Sequence, residues 1–276
     1  MKIAVCLSGH PRSFKITAPS IKKVFGDADF FFSTWEDQSN HETLEVFKDN
    51  DMNLVAHEFV TEPIQISHER KILDDFRKSF PDFFILNQWF GVKRAVRLMQ
   101  DFRVAHNKDY DIVVRCRFDL KLDFSIEQLT EVFVPGALNI VKASTAGSDQ
   151  FSYGTTEIME EFLSFEGWLR GYSTKFGNQF GFFASPLLRA FFLDQGIPVN
   201  IISLPLAVFR TDDGNPKTAR ENRTKSYIQQ NFPDLAGVAW HGTRKVDHMK
   251  KPAPWDKGYY PHRPFFYRNG KPMSDD

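Results

Sequence analysis

The stretch that decides the fold is the first fourteen residues, MKIAVCLSGHPRSF (1–14). Residues 3–7, Ile-Ala-Val-Cys-Leu, form a short apolar run with β-branched members, which reads as a buried strand. The run stops at Ser8-Gly9, and Pro11 follows. From Ser13 onward FKITAPSIKKVF has helical spacing, and Pro19 sets the expected helix start near itself, with Thr17 or Ser20 at the cap. Strand, glycine-bearing loop and helix is the arrangement by which α/β proteins bring backbone and a helix start to an anionic ligand. His10 and Arg12 project from that loop, so Ser8, Gly9, His10 and Arg12 are candidate ligand residues.

Working outward, residues 27–37 (DADFFFSTWED) predict a second strand ending at Thr34-Trp35, and NLVAHEFV predicts a weaker third. IQISHERKILDDFRKSF suggests a loop entering a helix. In FILNQWFGVKRAVRLMQDFRVAHNK, Val92, Ala95, Val96, Met99 and Phe102 recur at helical spacing, which predicts a long amphipathic helix. It leads into DYDIVVRCRFDLKLDF, strand-like through Asp119, and VPGALNIVKAS reads as another strand. TAGSDQFSYGT reads as a polar loop, then TEIMEEFLSFEGWLRGY as helix, and NQFGFFASPLLRAFFLDQGIPVNIISLPLAVFR as helix followed by strand. Strands alternating with helices imply an α/β fold with a central, mostly parallel sheet. The chain contains no internal repeat and no evident linker. We therefore expect one domain over residues 1–235 and a C-terminal extension over 236–276, rich in Pro, Gly, Lys and aromatics.

The bulk figures narrow the function classes. With 276 residues there is ample chain for a core, and 35 Lys+Arg balance 35 Asp+Glu, so no basic field points to nucleic acid. No apolar run approaches the roughly 20 residues of a membrane span, and the start lacks a signal peptide's apolar stretch. The two cysteines, Cys6 and Cys116, both lie in apolar runs and read as buried free thiols. These features predict a cytoplasmic chain with no nucleic-acid partner and no integral membrane segment. The 29 phenylalanines raise the aromatic fraction to 15%, and core filling accounts for such a density.

The segment YDIVVRCRFDLKLD (110–123) carries the densest candidate chemistry. Charges inside an apolar strand are costly unless they reach a partner or the strand's end. At the carboxyl end of a strand in an open α/β sheet, Asp119 would meet the ligand crevice, with Arg117 on the same strand face. A carboxylate there suits Mg²⁺ or Mn²⁺ on a diphosphate, with Asp123 a second ligand if the chain turns back, or else a solvated charge. The other reading of the same residues is an Arg117–Asp119 ion pair that pins the strand end. In SDQFSYG, Asp149 is a candidate general base, substrate acceptor or metal-shell residue, or else a turn cap. Lys93 and Arg94 on the long helix are candidate phosphate contacts or solvated charges. Asn178-Gln179 carry a weaker signal, and His241 is a second histidine to watch besides His10. No His or Cys spacing matches a zinc site.

Taken in order, KIAVCLSGHPRSF, the strand ending in Thr34-Trp35, YDIVVRCRFDL and SDQFSYG resemble the glycosyltransferases of bacterial and viral polysaccharide or lipopolysaccharide biosynthesis with a GT-A-like fold. The resemblance spans roughly residues 1–210. It implies a nucleotide-sugar donor at the strand ends, a carbohydrate or other hydroxyl acceptor, and a divalent metal, Mn²⁺ or Mg²⁺, on the diphosphate. By the same resemblance Gly9 and Arg12 lie by the nucleotide, Arg117 and Asp119 take the place of the Asp-x-Asp motif, and Asp149 faces the acceptor. Here the triplet is Arg117-Phe118-Asp119, so one metal ligand is replaced by a phosphate counter-charge. Two other readings compete. PRSF also resembles the phosphosulfate loop of sulfotransferases, with Phe14 and Lys15 in place of glycine and threonine. The fold could also serve as a non-catalytic carbohydrate-binding or structural module.

Overall fold

The computed structural model describes residues 1–11, 13–36, 40–61, 84–141, 150–165, 167–168, 191–192, 194–209, 266–268 and 271–272. The predicted helix entry at 64–80, Arg12, Asp149, Asn178-Gln179 and His241 lie outside the described residues.

Strand β1 (Ile3–Ser8) sits at the centre, flanked by β2 (Asp29–Trp35) and β4 (Ile112–Arg117), and β3 (Asn53–Val60) pairs outside β2. These four strands are mutually parallel. Beyond β4 come β7 (Phe151–Gly154), β6 (Leu138–Val141), β8 (Val199–Ile202), β10 (Phe266–Arg268) and β11 (Lys271–Pro272). β7 runs antiparallel to both its neighbours, β6–β8 and β8–β10 are parallel, and β11 closes the edge antiparallel. Among the described residues nine strands thus form one mixed, mostly parallel sheet, in the order 3-2-1-4-7-6-8-10-11. β10 and β11 bring part of the predicted C-terminal extension onto this sheet. A separate ribbon pairs β5 (Leu120–Leu122) with β9 (Leu206–Val208). The α/β class and the largely parallel sheet are as the alternation of patterns predicts.

The helices cover both faces, and handedness explains which goes where. α1 (Phe14–Phe25) and α2 (Asn40–Asp49) connect β1 to β2 and β2 to β3, moving outward in one direction. α3 (Phe84–His106) precedes β4, which returns to the other side of β1. A right-handed crossover that reverses direction has to lie on the opposite face. The core accordingly divides into two layers. Val5, Leu7, Phe30, Phe32, Val114 and Cys116 pack with the buried face of α1. Ala4, Cys6, Phe31 and Val113 pack with Trp89, Val92, Ala95, Val96 and Met99 of α3. Each central strand alternates between the layers, so neither of its faces meets water.

Three local expectations are corrected. α1 begins at Phe14 with Ser13 as N-cap, five residues before Pro19, which lies inside the helix. Pro19 is on the exposed side, while Phe14, Thr17, Ala18, Ile21, Val24 and Phe25 are buried. The apolar face holds the helix through the missing hydrogen bond. FSYG, read as part of a loop, is strand β7, fully buried between β4 and β6. Burial on both sides removed the alternation that would have marked it. Finally, β4 ends at Arg117, and Phe118-Asp119 form a turn into β5. Cys6 and Cys116 are buried free thiols, as predicted.

Candidate functional site

The strand order reverses between β1 and β4: β2 and β3 lie to one side of β1, β4 to the other. In open α/β sheets that reversal opens a crevice at the strands' carboxyl ends. The register puts Ser8 of β1 opposite Arg117 of β4, opposite Ser33 of β2, and Ser33 opposite Glu58 of β3. Four polar residues, Glu58, Ser33, Ser8 and Arg117, therefore share one row across four strands, roughly 5 Å apart. The matching row two residues earlier is Ala56, Phe31, Cys6 and Arg115. Polarity thus rises toward the crevice end of the sheet.

The β1 side of the crevice is shaped by backbone. Gly9 has φ of 106°, a conformation that a side chain would strain. Its carbonyl accepts a hydrogen bond from Thr34 Oγ1 at 2.8 Å, and the next turn closes with Phe14 N donating to Pro11 O at 2.7 Å. His10 is exposed and Pro11 buried. Ser8 is buried, and among the described residues its Oγ has no hydrogen-bond partner. α3 crosses over it at Gly91, where an added Cβ would lie 3.5 Å from Ser8 Cβ and 4.0 Å from Ser33 O.

On the β4 side, Arg117 Nε donates to Asp119 Oδ1 at 2.8 Å and Nη2 donates to Oδ2 at 2.5 Å, a two-pronged ion pair. The turn that carries Asp119 is held twice. Thr17 Oγ1 of α1 donates to Phe118 O, and Phe209 N donates to Asp119 O at 2.6 Å. Two residues down the strand, Arg115 is buried with its guanidinium 5.8 Å from the Trp89 ring. On the outer side of the row, Arg94 of α3 donates to Glu58 Oε1 at 3.1 Å, and Ser33 Oγ to Glu58 Oε2 at 3.4 Å. Burial makes the Cys116 thiol a weak acid, pushed up to about 12, and raises that of Cys6 further, so neither is a nucleophile here.

The fold therefore brings Ser8, Gly9, Arg117 and Asp119 together. Lys93 is half-buried on α3, one residue before Arg94. Asp123 lies apart, exposed just after β5, with its backbone N–H on Pro205 O at 3.1 Å. Arg94, a candidate phosphate contact by sequence, is instead engaged with Glu58, while Ser33, Glu58 and Gly91 join the site without any local signal in the sequence, because only the register and the α3 crossing place them there.

The resemblance implies a divalent ion on Asp119. Both oxygens of that carboxylate accept from Arg117. Among the described residues no three His, Cys, Asp or Glu side chains gather into a metal shell. The described residues do not fit a divalent ion.

Fold and site define an α/β protein with a row of polar residues at the switch point of a mostly parallel sheet. Residues 1–164 match the family described as a domain of unknown function, DUF7796, and the chain belongs to that family. No curated protein matches the sequence. Solved structures that are similar include a nucleoside-diphosphate-sugar pyrophosphorylase from Vibrio cholerae RC9, with 10% identity over 72% of this chain and 90% of that one, TM-score 0.43. The glycosyltransferase GlyE of Streptococcus pneumoniae TIGR4 is 13% identical over 72% of this chain, TM-score 0.40, and this chain spans 45% of its length. A glycosyltransferase involved in glycosylation of the major capsid of PBCV-1 is 10% identical over 73% of this chain and 86% of that one, TM-score 0.37. All three are distant likenesses. Among the described residues no helix is long and apolar enough to cross a membrane.

Proposed function

We propose that the chain is a GT-A-like glycosyltransferase that moves a sugar from a nucleotide-sugar donor to a hydroxyl of a carbohydrate or other acceptor. The observation that carries this reading is the register pairing of Ser8 with Arg117 at the switch point. It joins the two segments on which the sequence resemblance rests, the Ser8-Gly9 loop and the Arg117-Phe118-Asp119 turn, in one crevice.

Sugar transfer develops negative charge on the departing nucleoside diphosphate. In this reading Arg117, fixed at the strand end, stabilises that charge, and the positive end of α1 adds to it. The first turn of α1 contains no acid to cancel its dipole. Arg12 joins on the nucleotide side and Asp149 deprotonates the acceptor hydroxyl, roles that come from the resemblance and fall on residues outside those described. Polysaccharide or lipopolysaccharide biosynthesis is the setting the resemblance favours. Two buried free thiols suit a reducing compartment, and we place the activity in the cytoplasm.

The test is thermal stabilisation of the full chain by UDP, GDP, CMP and adenosine 3′,5′-bisphosphate, each with and without Mn²⁺. A ligand that binds the native state raises the melting temperature by mass action. Stabilisation by one nucleoside diphosphate, followed by transfer from the matching nucleotide sugar, is the expected result. A response to the bisphosphate alone would replace this reading with a sulfotransferase. Silence from all four would leave a non-catalytic module.

A further inference from the structure

We infer that Asp119 is a positioning residue, whose carboxylate holds Arg117 as a fixed receptor for a diphosphate, so that the anion binds without a divalent metal. The ligand's identity as part of a nucleotide sugar rests on the function proposed above, but the receptor geometry does not.

The ion pair occupies the carboxylate in the manner a metal would need. Nε and Nη2 of Arg117 reach the two oxygens of Asp119 separately, at 2.8 and 2.5 Å. A divalent ion on the same oxygens would sit a few ångströms from a guanidinium that never loses its charge. Burial sharpens that conflict, because Asp119 and Arg117 side chains are only 8% and 17% exposed. Nor is Asp119 placed on a segment that swings aside easily. Its turn is bonded to α1 through Thr17 and to the chain after β9 through Phe209. The carboxylate is the anchored partner, and the guanidinium is what it orients.

Arg117 is placed for an anion. It is the last paired residue of β4, opposite Ser8, whose buried hydroxyl has no partner among the described residues. The pair, through Nε and Nη2, fixes the plane of the fork. A planar fork of fixed orientation matches phosphate oxygens, and holding it beforehand removes the entropy a mobile arginine would lose on binding. The triplet Arg117-Phe118-Asp119 then stands as a cation with its support, rather than as a metal motif lacking one acid.

Inorganic pyrophosphate is the probe, titrated against the full chain in EDTA and again with Mg²⁺, with thermal unfolding as readout. Expected is saturable stabilisation in EDTA that Mg²⁺ does not increase. Arg117→Lys, which keeps the charge and loses the fork, should raise the Kd about tenfold, as should Asp119→Asn, with partial recovery in Asp119→Glu. Each variant's melting temperature without ligand reports its fold separately; if Asp119→Asn does not fold, Asp119→Glu and Arg117→Lys carry the test. Binding that requires Mg²⁺, vanishes in Asp119→Asn and survives in Arg117→Lys would make Asp119 a metal ligand and overturn the inference. Equal binding by all four proteins, or none by any, overturns it too. Metal-free pyrophosphate binding with no response to nucleoside diphosphates would leave the inference standing and remove the glycosyltransferase reading. The reverse pattern, a metal-dependent nucleoside diphosphate response, would do the opposite.

Discussion

Thr34 Oγ1 donates to the carbonyl of Gly9 at 2.8 Å, so the carboxyl end of β2 holds the loop that leaves β1. The bond fixes the direction in which the chain turns from Ser8 toward α1. Replacing Thr34 with Val keeps the shape and removes the donor. We expect a stability loss of about 1 kcal/mol in urea denaturation. Nucleoside diphosphate binding should weaken as the loop gains freedom, and calorimetric titration of the variant checks it.

Gly9 itself tests backbone strain without steric complication. No atom lies within 4 Å of an added Cβ, yet φ is 106°. Gly9→Ala should therefore cost about 1–3 kcal/mol through backbone strain alone. Equal urea midpoints for variant and parent would show that the loop relaxes to another conformation.

Gly154 at the end of β7 presents the opposite case. An added Cβ there would lie 2.8 Å from Ile158 Cγ2 and 3.0 Å from Ile158 Cβ. Gly154→Ala should destabilise by about 1–3 kcal/mol through overpacking. Adding Ile158→Ala should recover part of the loss, because Cγ2 leaves while Cβ stays, and a double-mutant cycle measures that coupling.

Asp29, buried at the start of β2, gathers three donors from distant parts of the chain. Tyr110 Oη reaches its Oδ2 at 2.6 Å, Asn53 Nδ2 its Oδ1 at 2.8 Å, and Lys108 Nζ also bonds Oδ2. Tyr110→Phe leaves this buried carboxylate one donor short, at an expected cost of about 1.5–3 kcal/mol. The site lies at the strands' far end, so ligand affinity should not change while the denaturation midpoint falls.

Alkaline pH offers a test of burial. Burial raises the Cys116 thiol to about 12, and lifts Cys6, Tyr110 and Tyr153 above their ordinary values as well. Above an ordinary thiol value near 9 the unfolded chain releases protons that the native chain keeps. The unfolded state then binds fewer protons, so stability falls as pH rises. The slope reaches about 1.4 kcal/mol per pH unit for each fully titrating group. Urea midpoints at pH 8 and pH 10 should differ accordingly, and Cys116→Ala should flatten part of the slope.

Much of the frame was legible because it rests on local patterns. Ile3–Leu7 and Asn53–Val60 read as strands, and the Val92–Phe102 spacing as a helix, from apolar periodicity alone. α1 was misplaced because Pro19 is a strong local signal that a buried face overrode. FSYG reads locally as loop because a strand buried on both sides loses its alternation. At the site, the sequence pointed to Ser8, Gly9, Arg117 and Asp119, each standing at the end of an apolar run. Glu58 and Ser33 were invisible, since nothing local marks a polar residue as the neighbour of a strand far away in sequence, and Arg94, a candidate phosphate contact by sequence, is bonded to Glu58.

By itself the sequence determined the strand character of β1 to β4 and the helix before β4, that both cysteines are buried, and that charge collects where β4 ends. These follow from periodicity and from the cost of burying charge, both properties of short segments. Only the tertiary structure decided that Ser8 faces Arg117, that β7 lies reversed in the middle of the sheet, and that Asp119 spends both oxygens on Arg117. Those facts depend on strand order, register and rotamer. They are settled by contacts between residues remote in sequence, or by a choice of partner that residue identity leaves open.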